Sequence, residues 1–224
     1  MSSLLRYFRV PRLQVALDLL DLDRALDIAC KCVEGGADVL EAGTPLIKSC
    51  GIKAVKRIKT KFPDKLVFAD MKTLDLGDLE SKMAFENGAD IVGIAGVATD
   101  ITIEKALETA KKFKKWICVD LIGTRDPFKR AIEVSEMGAH IVGLHVSVDE
   151  QRRLGKTAEE LRDLIEDVSS KIKSILAVAG GIDEFIAKNL VNRGVKLIIV
   201  GSRIIKSKDP LLATKKILNS MGRV

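Results

Sequence analysis

Two carboxylates and an ammonium leave one apolar run together. The stretch Lys65-Leu-Val-Phe-Ala69 reads as a buried strand, and Asp70-Met71-Lys72-Thr73-Leu74-Asp75 follows it directly. Residues two apart share a strand face, so Asp70 and Lys72 point the same way, while Asp75 lies beyond, in the loop. A carboxylate there can hold a hard cation, and an ammonium can stabilise a developing oxyanion. The bland alternative for an isolated Asp-x-Lys is a salt bridge at the start of a loop. The positions of the other polar residues decide between the two.

Apolar strand-like runs recur along the chain at 13–17, 39–42, 66–69, 91–95, 116–121, 141–146, 174–179 and 197–200. Amphipathic segments with a helical period lie between them, at 22–33, 101–113, 128–137, 158–168 and 211–218. A short motif marks the helix-to-strand joints: Gly36-Ala37-Asp38, Gly88-Ala89-Asp90, Gly138-Ala139-His140 and Gly194-Val195-Lys196. Each glycine stands where a helix ends in a left-handed cap. The repeat predicts eight βα units and a (β/α)8 TIM barrel. A doubly wound open sheet is the competing architecture, but no Gly-x-Gly-x-x-Gly turn follows the first strand. The expectation is a single barrel domain over residues 1–224, with 1–12 as an N-terminal extension.

Active sites of such barrels gather at the carboxyl ends of the strands. In chain order those ends carry Asp18, Glu41, the group Asp70, Lys72 and Asp75, then Asp120, His145, Ala179-Gly180-Gly181 and Gly201-Ser202-Arg203. Glu41 and Asp70 offer hard oxygen donors suited to Mg2+ or Mn2+, an ion that would act as a Lewis acid on an enediolate. Lys72 adds positive charge to the same oxygens. His145 has the side chain type that ordinarily titrates near neutrality, so it is the natural proton carrier. The glycines after strands seven and eight let backbone N–H groups approach a phosphate. Arg203 either clamps that phosphate or faces solvent, and His140, at a strand start, belongs to the opposite rim.

Composition narrows the function classes. Net charge is +6, but Lys and Arg are interspersed with Asp and Glu. The basic run Lys111-Lys112-Phe113-Lys114-Lys115 reads as a solvated helix end. One Trp and one Tyr supply little for base stacking, so a nucleic-acid partner is not expected, and a mild positive field suits small anionic substrates. No apolar run reaches the length of a membrane span and no signal-peptide core precedes Pro11, which points to a cytoplasmic protein. The four cysteines, Cys30, Cys32, Cys50 and Cys118, form no Cys-x-x-Cys pair and are expected as buried, reduced thiols.

The Asp-x-Lys-x-x-Asp element resembles that of the orotidine 5′-monophosphate decarboxylase suprafamily. Five segments carry the resemblance: Leu13-Gln-Val-Ala-Leu-Asp18, Glu41-Ala-Gly-Thr-Pro-Leu-Ile-Lys48, Ala69-Asp-Met-Lys-Thr-Leu-Asp75, His145-Val-Ser-Val-Asp-Glu-Gln151 and Ala177-Val-Ala-Gly-Gly-Ile182. Within the suprafamily they are similar to the 3-hexulose-6-phosphate synthase branch. That resemblance implies a lyase: a homodimeric barrel running a reversible, Mg2+-dependent aldol reaction of D-ribulose 5-phosphate with formaldehyde. It implies metal ligation by Glu41 and Asp70, steadying of the enediolate by Lys72, and Asp75 reaching the partner subunit's site. It further implies substrate contacts from Asp18 and Asp120 and proton transfer by His145. The 3-keto-L-gulonate-6-phosphate decarboxylases carry an arginine three residues after the histidine, and here that position is Val148. Orotidine decarboxylase proper lacks the Glu-Ala-Gly-Thr-Pro segment. A non-catalytic barrel that only binds a sugar phosphate is the alternative from another class.

Overall fold

The structure, a computed structural model, describes residues 2–223. Eight parallel strands close into a barrel in chain order: β1 (Arg12–Leu17), β2 (Val39–Ala42), β3 (Leu66–Thr73), β4 (Ile91–Ala95), β5 (Trp116–Asp120), β6 (Ile141–His145), β7 (Ile175–Ala179) and β8 (Leu197–Val200). Closure is made by β1 against β8, with Gln14 opposite Ile199 and Val15 opposite Val200. The expected strands agree closely, except that β3 runs on to Thr73 instead of ending at Ala69. The helix expected over 158–168 divides into a 3-10 turn, Ala158–Leu161, and an α-helix, Arg162–Lys171.

Both strand faces are buried because helices cover the outside and side chains fill the inside. Helix starts follow from local chemistry. Asp21, Asp126, Asp183 and Asp209 each accept the N–H three residues on, and Pro127 and Pro210 begin the helices that follow Asp126 and Asp209. The four joint glycines, Gly36, Gly88, Gly138 and Gly194, all have positive φ, from 84° to 101°.

The third residue of that joint motif has a repeated task. Asp38 accepts the Leu13 N–H at 2.9 Å, Asp90 the Val67 N–H at 2.9 Å, and His140 Nδ1 the Ile117 N–H at 3.2 Å. Each thus ties the start of its own strand to the start of the one before, on the rim away from the candidate site. Asp38 also binds Arg12 and Arg223, and Asp90 binds Lys59 and Lys115. Lys196 stands fourth in the series and cannot accept.

Residues 2–11, read from the sequence as an extension, close that same rim. The helix Ser2–Tyr7 places Leu4 and Phe8, 1% and 2% exposed, among Val39, Phe68, Ile91, Cys118, Ile141 and Leu197 inside the barrel. The Arg12 guanidinium stacks on the Tyr7 ring at 4.4 Å. Among the described residues no helix is long and apolar enough to cross a membrane.

Candidate active site

A parallel barrel delivers every carboxyl strand end to one rim. Strand alternation turns Glu41 of β2, Asp70 of β3, Asp120 of β5 and His145 of β6 inward, where they line one small cavity with Phe68, Cys118 and Ala179. Its volume is about 30 Å3, room for one water. A molecule larger than water would have to lie across the open mouth, above these groups. Gly93 on β4 leaves space for the cluster, since a Cβ there would sit 3.1 Å from Asp70 Oδ1.

Lys72 reaches the cluster by a route that simple alternation does not describe. Ala69 of β3 pairs with Val92 and Thr73 with Ile94, so β3 spends four residues where β4 spends two. Lys72 sits in this bulge with φ +46°, a left-handed conformation costly for a residue with a Cβ. The bulge aims its ammonium back over the barrel, 3.0 Å from Asp70 Oδ2 and 2.9 Å from Asp120 Oδ2. The same Asp120 oxygen meets His145 Nδ1 at 3.0 Å, and Asp120 Oδ1 accepts the Ile122 N–H at 3.0 Å.

These contacts set the charges. Burial alone would raise the Asp120 carboxyl, but the His145 and Lys72 hydrogen bonds outweigh it and hold Asp120 far below the usual carboxylate range. Burial would likewise lower Lys72, yet Asp120 and Asp70 hold it firmly as an ammonium. Glu41 has no such cation in contact among the described residues. Burial, then repulsion from Asp70 and Asp18, push its carboxyl well above the ordinary value. Asp18 is accessible as a residue, but its carboxylate is tucked against Gly43 and Gly201. Its surroundings and Asp70 raise it too. A Cβ at position 43 would fall 2.1 Å from Asp18 Oδ1, so a larger residue there would displace that carboxylate.

Crowded carboxylates with one ammonium to share form a donor set that suits a hard divalent cation. Mg2+ takes one or two carboxylates and completes its shell with water and substrate oxygens, and Glu41 and Asp70 fit that demand. Among the described residues no three His, Cys, Asp or Glu side chains form a ready cage, so substrate and water would supply the remaining ligands.

The peptide N–H groups of Gly180, Gly181, Gly201 and Ser202 donate to no protein acceptor among the described residues. Gly180 and Gly181 both have positive φ, 115° and 62°, which opens the backbone after β7. Arg203 turns away from this face. It forms a forked pair with Glu184, with contacts of 2.8 and 3.0 Å, and is about half exposed. Asp75 is exposed and, among the described residues, bonds only the neighbouring Leu76 N–H at 2.7 Å, apart from the cluster.

Sequence reasoning missed two residues. Thr44 Oγ1 lies 2.7 Å from Asp70 Oδ2 and 2.8 Å from the Asp70 carbonyl. Gln14 Nε2 donates to Glu41 Oε2 at 2.6 Å. Both stand in segments dominated by charged residues or apolar runs, and an amide within an otherwise apolar strand is the available signal. All four cysteines are free, but only Cys32 and Cys118 are buried; Cys30 and Cys50 are partly exposed. Burial pushes the Cys118 thiol well above its usual value, which keeps it protonated beneath the carboxylates. A larger groove of about 600 Å3 lies on the opposite rim beside Trp116 and His140. It holds none of the convergent groups.

Comparison with known proteins agrees with the barrel fold. The profile of the Orotidine 5'-phosphate decarboxylase / HUMPS family matches residues 11–217. A 3-hexulose-6-phosphate synthase of Mycobacterium gastri is 39% identical over 206 residues, 92% of this chain and 97% of that protein. A solved 3-hexulose-6-phosphate synthase superposes with a TM-score of 0.88 at 39% identity, over 93% of this chain and 99% of the other. A solved 3-keto-L-gulonate-6-phosphate decarboxylase from Vibrio cholerae superposes with 0.84 at 26% identity, over 96% and 98%. Fold alone does not separate the two activities, whereas sequence identity lies with the synthase. With the family profile spanning nearly all of the barrel, the chain belongs to the Orotidine 5'-phosphate decarboxylase / HUMPS family.

Proposed function

We propose that this chain catalyses the 3-hexulose-6-phosphate synthase reaction, the reversible addition of D-ribulose 5-phosphate to formaldehyde giving D-arabino-hex-3-ulose 6-phosphate. The observation that carries the reading is the linked set Asp70–Lys72–Asp120–His145 at the barrel mouth. Val148 supports it against the decarboxylase alternative. It opens the helix Val148–Leu154 beside His145 and is exposed, so no guanidinium from that position meets the substrate.

Chemistry begins with removal of a C1 proton of ribulose 5-phosphate. Asp120 engages His145 at Nδ1, leaving Nε2 with no protein partner among the described residues and free to carry that proton. Negative charge then spreads over the C1 and C2 oxygens. Lys72, held cationic, is placed to stabilise it without reorganising. C1 attacks the formaldehyde carbon, a carbon–carbon bond forms, and the former aldehyde oxygen takes a proton. In the reverse direction the same groups cleave that bond. A divalent cation bound by Glu41 and Asp70 would supply Lewis-acid stabilisation of the same oxygens. The open N–H groups after β7 and β8 would hold the phosphate, and Asp18 would meet substrate hydroxyls.

The reading includes a homodimer. Leu74, Leu76, Leu79 and Ile101 are 56% to 70% exposed around Asp75, an apolar rim that pairing of two barrels would cover while Asp75 reaches the other site. The test is formaldehyde consumption with ribulose 5-phosphate, with and without Mg2+. Metal-dependent loss of formaldehyde supports the synthase. A folded, inactive protein that instead releases CO2 from a β-keto sugar acid phosphate would move it to the decarboxylase branch.

A further inference from the structure

We infer that Gln14 is a positioning residue for Glu41, holding one carboxylate oxygen so that the other is presented to the cation. The inference rests on the proposed cation site. Gln14 points into the barrel: its register partners, Val39 on β2 and Ile199 on β8, pack in the interior with the N-terminal helix. It is fully buried, and its strand neighbours Leu13, Val15, Ala16 and Leu17 are all apolar. Its amide nitrogen donates to Glu41 Oε2 at 2.6 Å, the only hydrogen bond Glu41 receives from a side chain among the described residues. Its amide oxygen has no partner among the described residues.

That orphan oxygen is the informative feature. A buried acceptor without a donor costs stability, and an apolar side chain of the same shape removes the cost. Packing alone therefore favours methionine or leucine at position 14. The amide has one useful contact, and that contact fixes Glu41. By engaging Oε2 it restricts rotation of the carboxylate and leaves Oε1 as the available donor. Groups that orient a metal ligand in this way govern affinity strongly even though they never touch the ion.

The test is Mn2+ binding by the intact protein in the presence of ribulose 5-phosphate, followed through the electron paramagnetic resonance signal of free Mn2+. Thermal unfolding is measured in parallel without any divalent cation. For Gln14→Met the expected result is a Kd weakened by about 10–100-fold, with a cation-free Tm unchanged or higher. Gln14→Leu makes the same comparison if the methionine variant does not fold. Unchanged Mn2+ affinity with a lowered cation-free Tm would overturn the inference and leave the cation site standing. Failure of the wild-type protein to bind Mn2+ would overturn both together.

Discussion

Lys72 Nζ lies 2.9 Å from Asp120 Oδ2, a contact that joins the bulge of β3 to the end of β5 across 48 residues of sequence. Asp120 is the hub of the site, since the oxygen that meets Lys72 also meets His145. Changing Asp120→Ala leaves the imidazole unheld and the ammonium with one partner fewer. The expected loss is about 10²–10⁴-fold in kcat, the usual worth of positioned acid–base catalysis. KM for ribulose 5-phosphate changes less if orientation is the main role. Steady-state kinetics of the purified variant decides.

Position 72 separates backbone strain from charge. Lys72→Ala and Lys72→Gly both remove the ammonium and leave Asp70 and Asp120 facing each other. Both variants are therefore inactive and less stable than wild type at neutral pH. Glycine tolerates the positive φ of 46°, so Lys72→Gly should exceed Lys72→Ala in stability by about 1 kcal/mol. Urea denaturation of the pair measures the difference, and an alanine variant as stable as the glycine one would remove the strain argument.

His140 carries a pH dependence. Burial lowers its pKa to about 4, and Nδ1 already accepts a backbone N–H, so a proton there has to break that bond. The unfolded chain takes up the proton near the ordinary histidine pKa of about 6.5. Between those values the unfolded state binds more protons, so folding stability falls as pH drops from about 6.5 towards 4. Replacing the ring by His140→Asn removes this dependence. Thermal unfolding at pH 7 and pH 5 should show a smaller difference for the variant than for the wild type.

The N-terminal plug makes a separate prediction. Phe8 is 2% exposed in the floor of the barrel, and Phe8→Ala should cost about 3–5 kcal/mol through lost transfer energy and the cavity left behind. Activity at a temperature well below the transition should persist, because the plug lies on the rim opposite the carboxylates. A variant with wild-type Tm would show that the Phe8 side chain does not contribute to stability.

Subunit complementation tests the proposed role of Asp75. Lys72→Ala and Asp75→Asn should each be inactive alone. If Asp75 serves the partner's site, unfolding and refolding an equal mixture restores about a quarter of wild-type activity, since half the dimers are mixed and each has one intact site. No recovery from a mixture shown to exchange subunits would return Asp75 to its own barrel.

Much of this molecule was legible along the chain. Apolar runs between left-handed glycine caps marked the strands, because burial and backbone sterics act over a few residues. The rim residues Glu41, Asp70, Asp120 and His145 followed once the parallel barrel was inferred, since that fold sends every carboxyl strand end to one side. The joint motif was visible too, although its hydrogen bonds to the preceding strand were not.

The tertiary structure decided what depends on closure and register. Alternation placed Asp70 and Lys72 on one face, but it is the two-residue register shift between β3 and β4 that turns Lys72 towards Asp120. Arg203 was equally compatible with a phosphate or with solvent until the helix Glu184–Asn192 brought Glu184 beside it. Gln14 read as one polar letter in an apolar strand until β1 paired with β2 and set its amide against Glu41. Local sequence encodes which residues a strand carries and where it ends. Which side chains touch across the barrel is set by the stagger of strands distant in sequence, and no short window of the chain contains it.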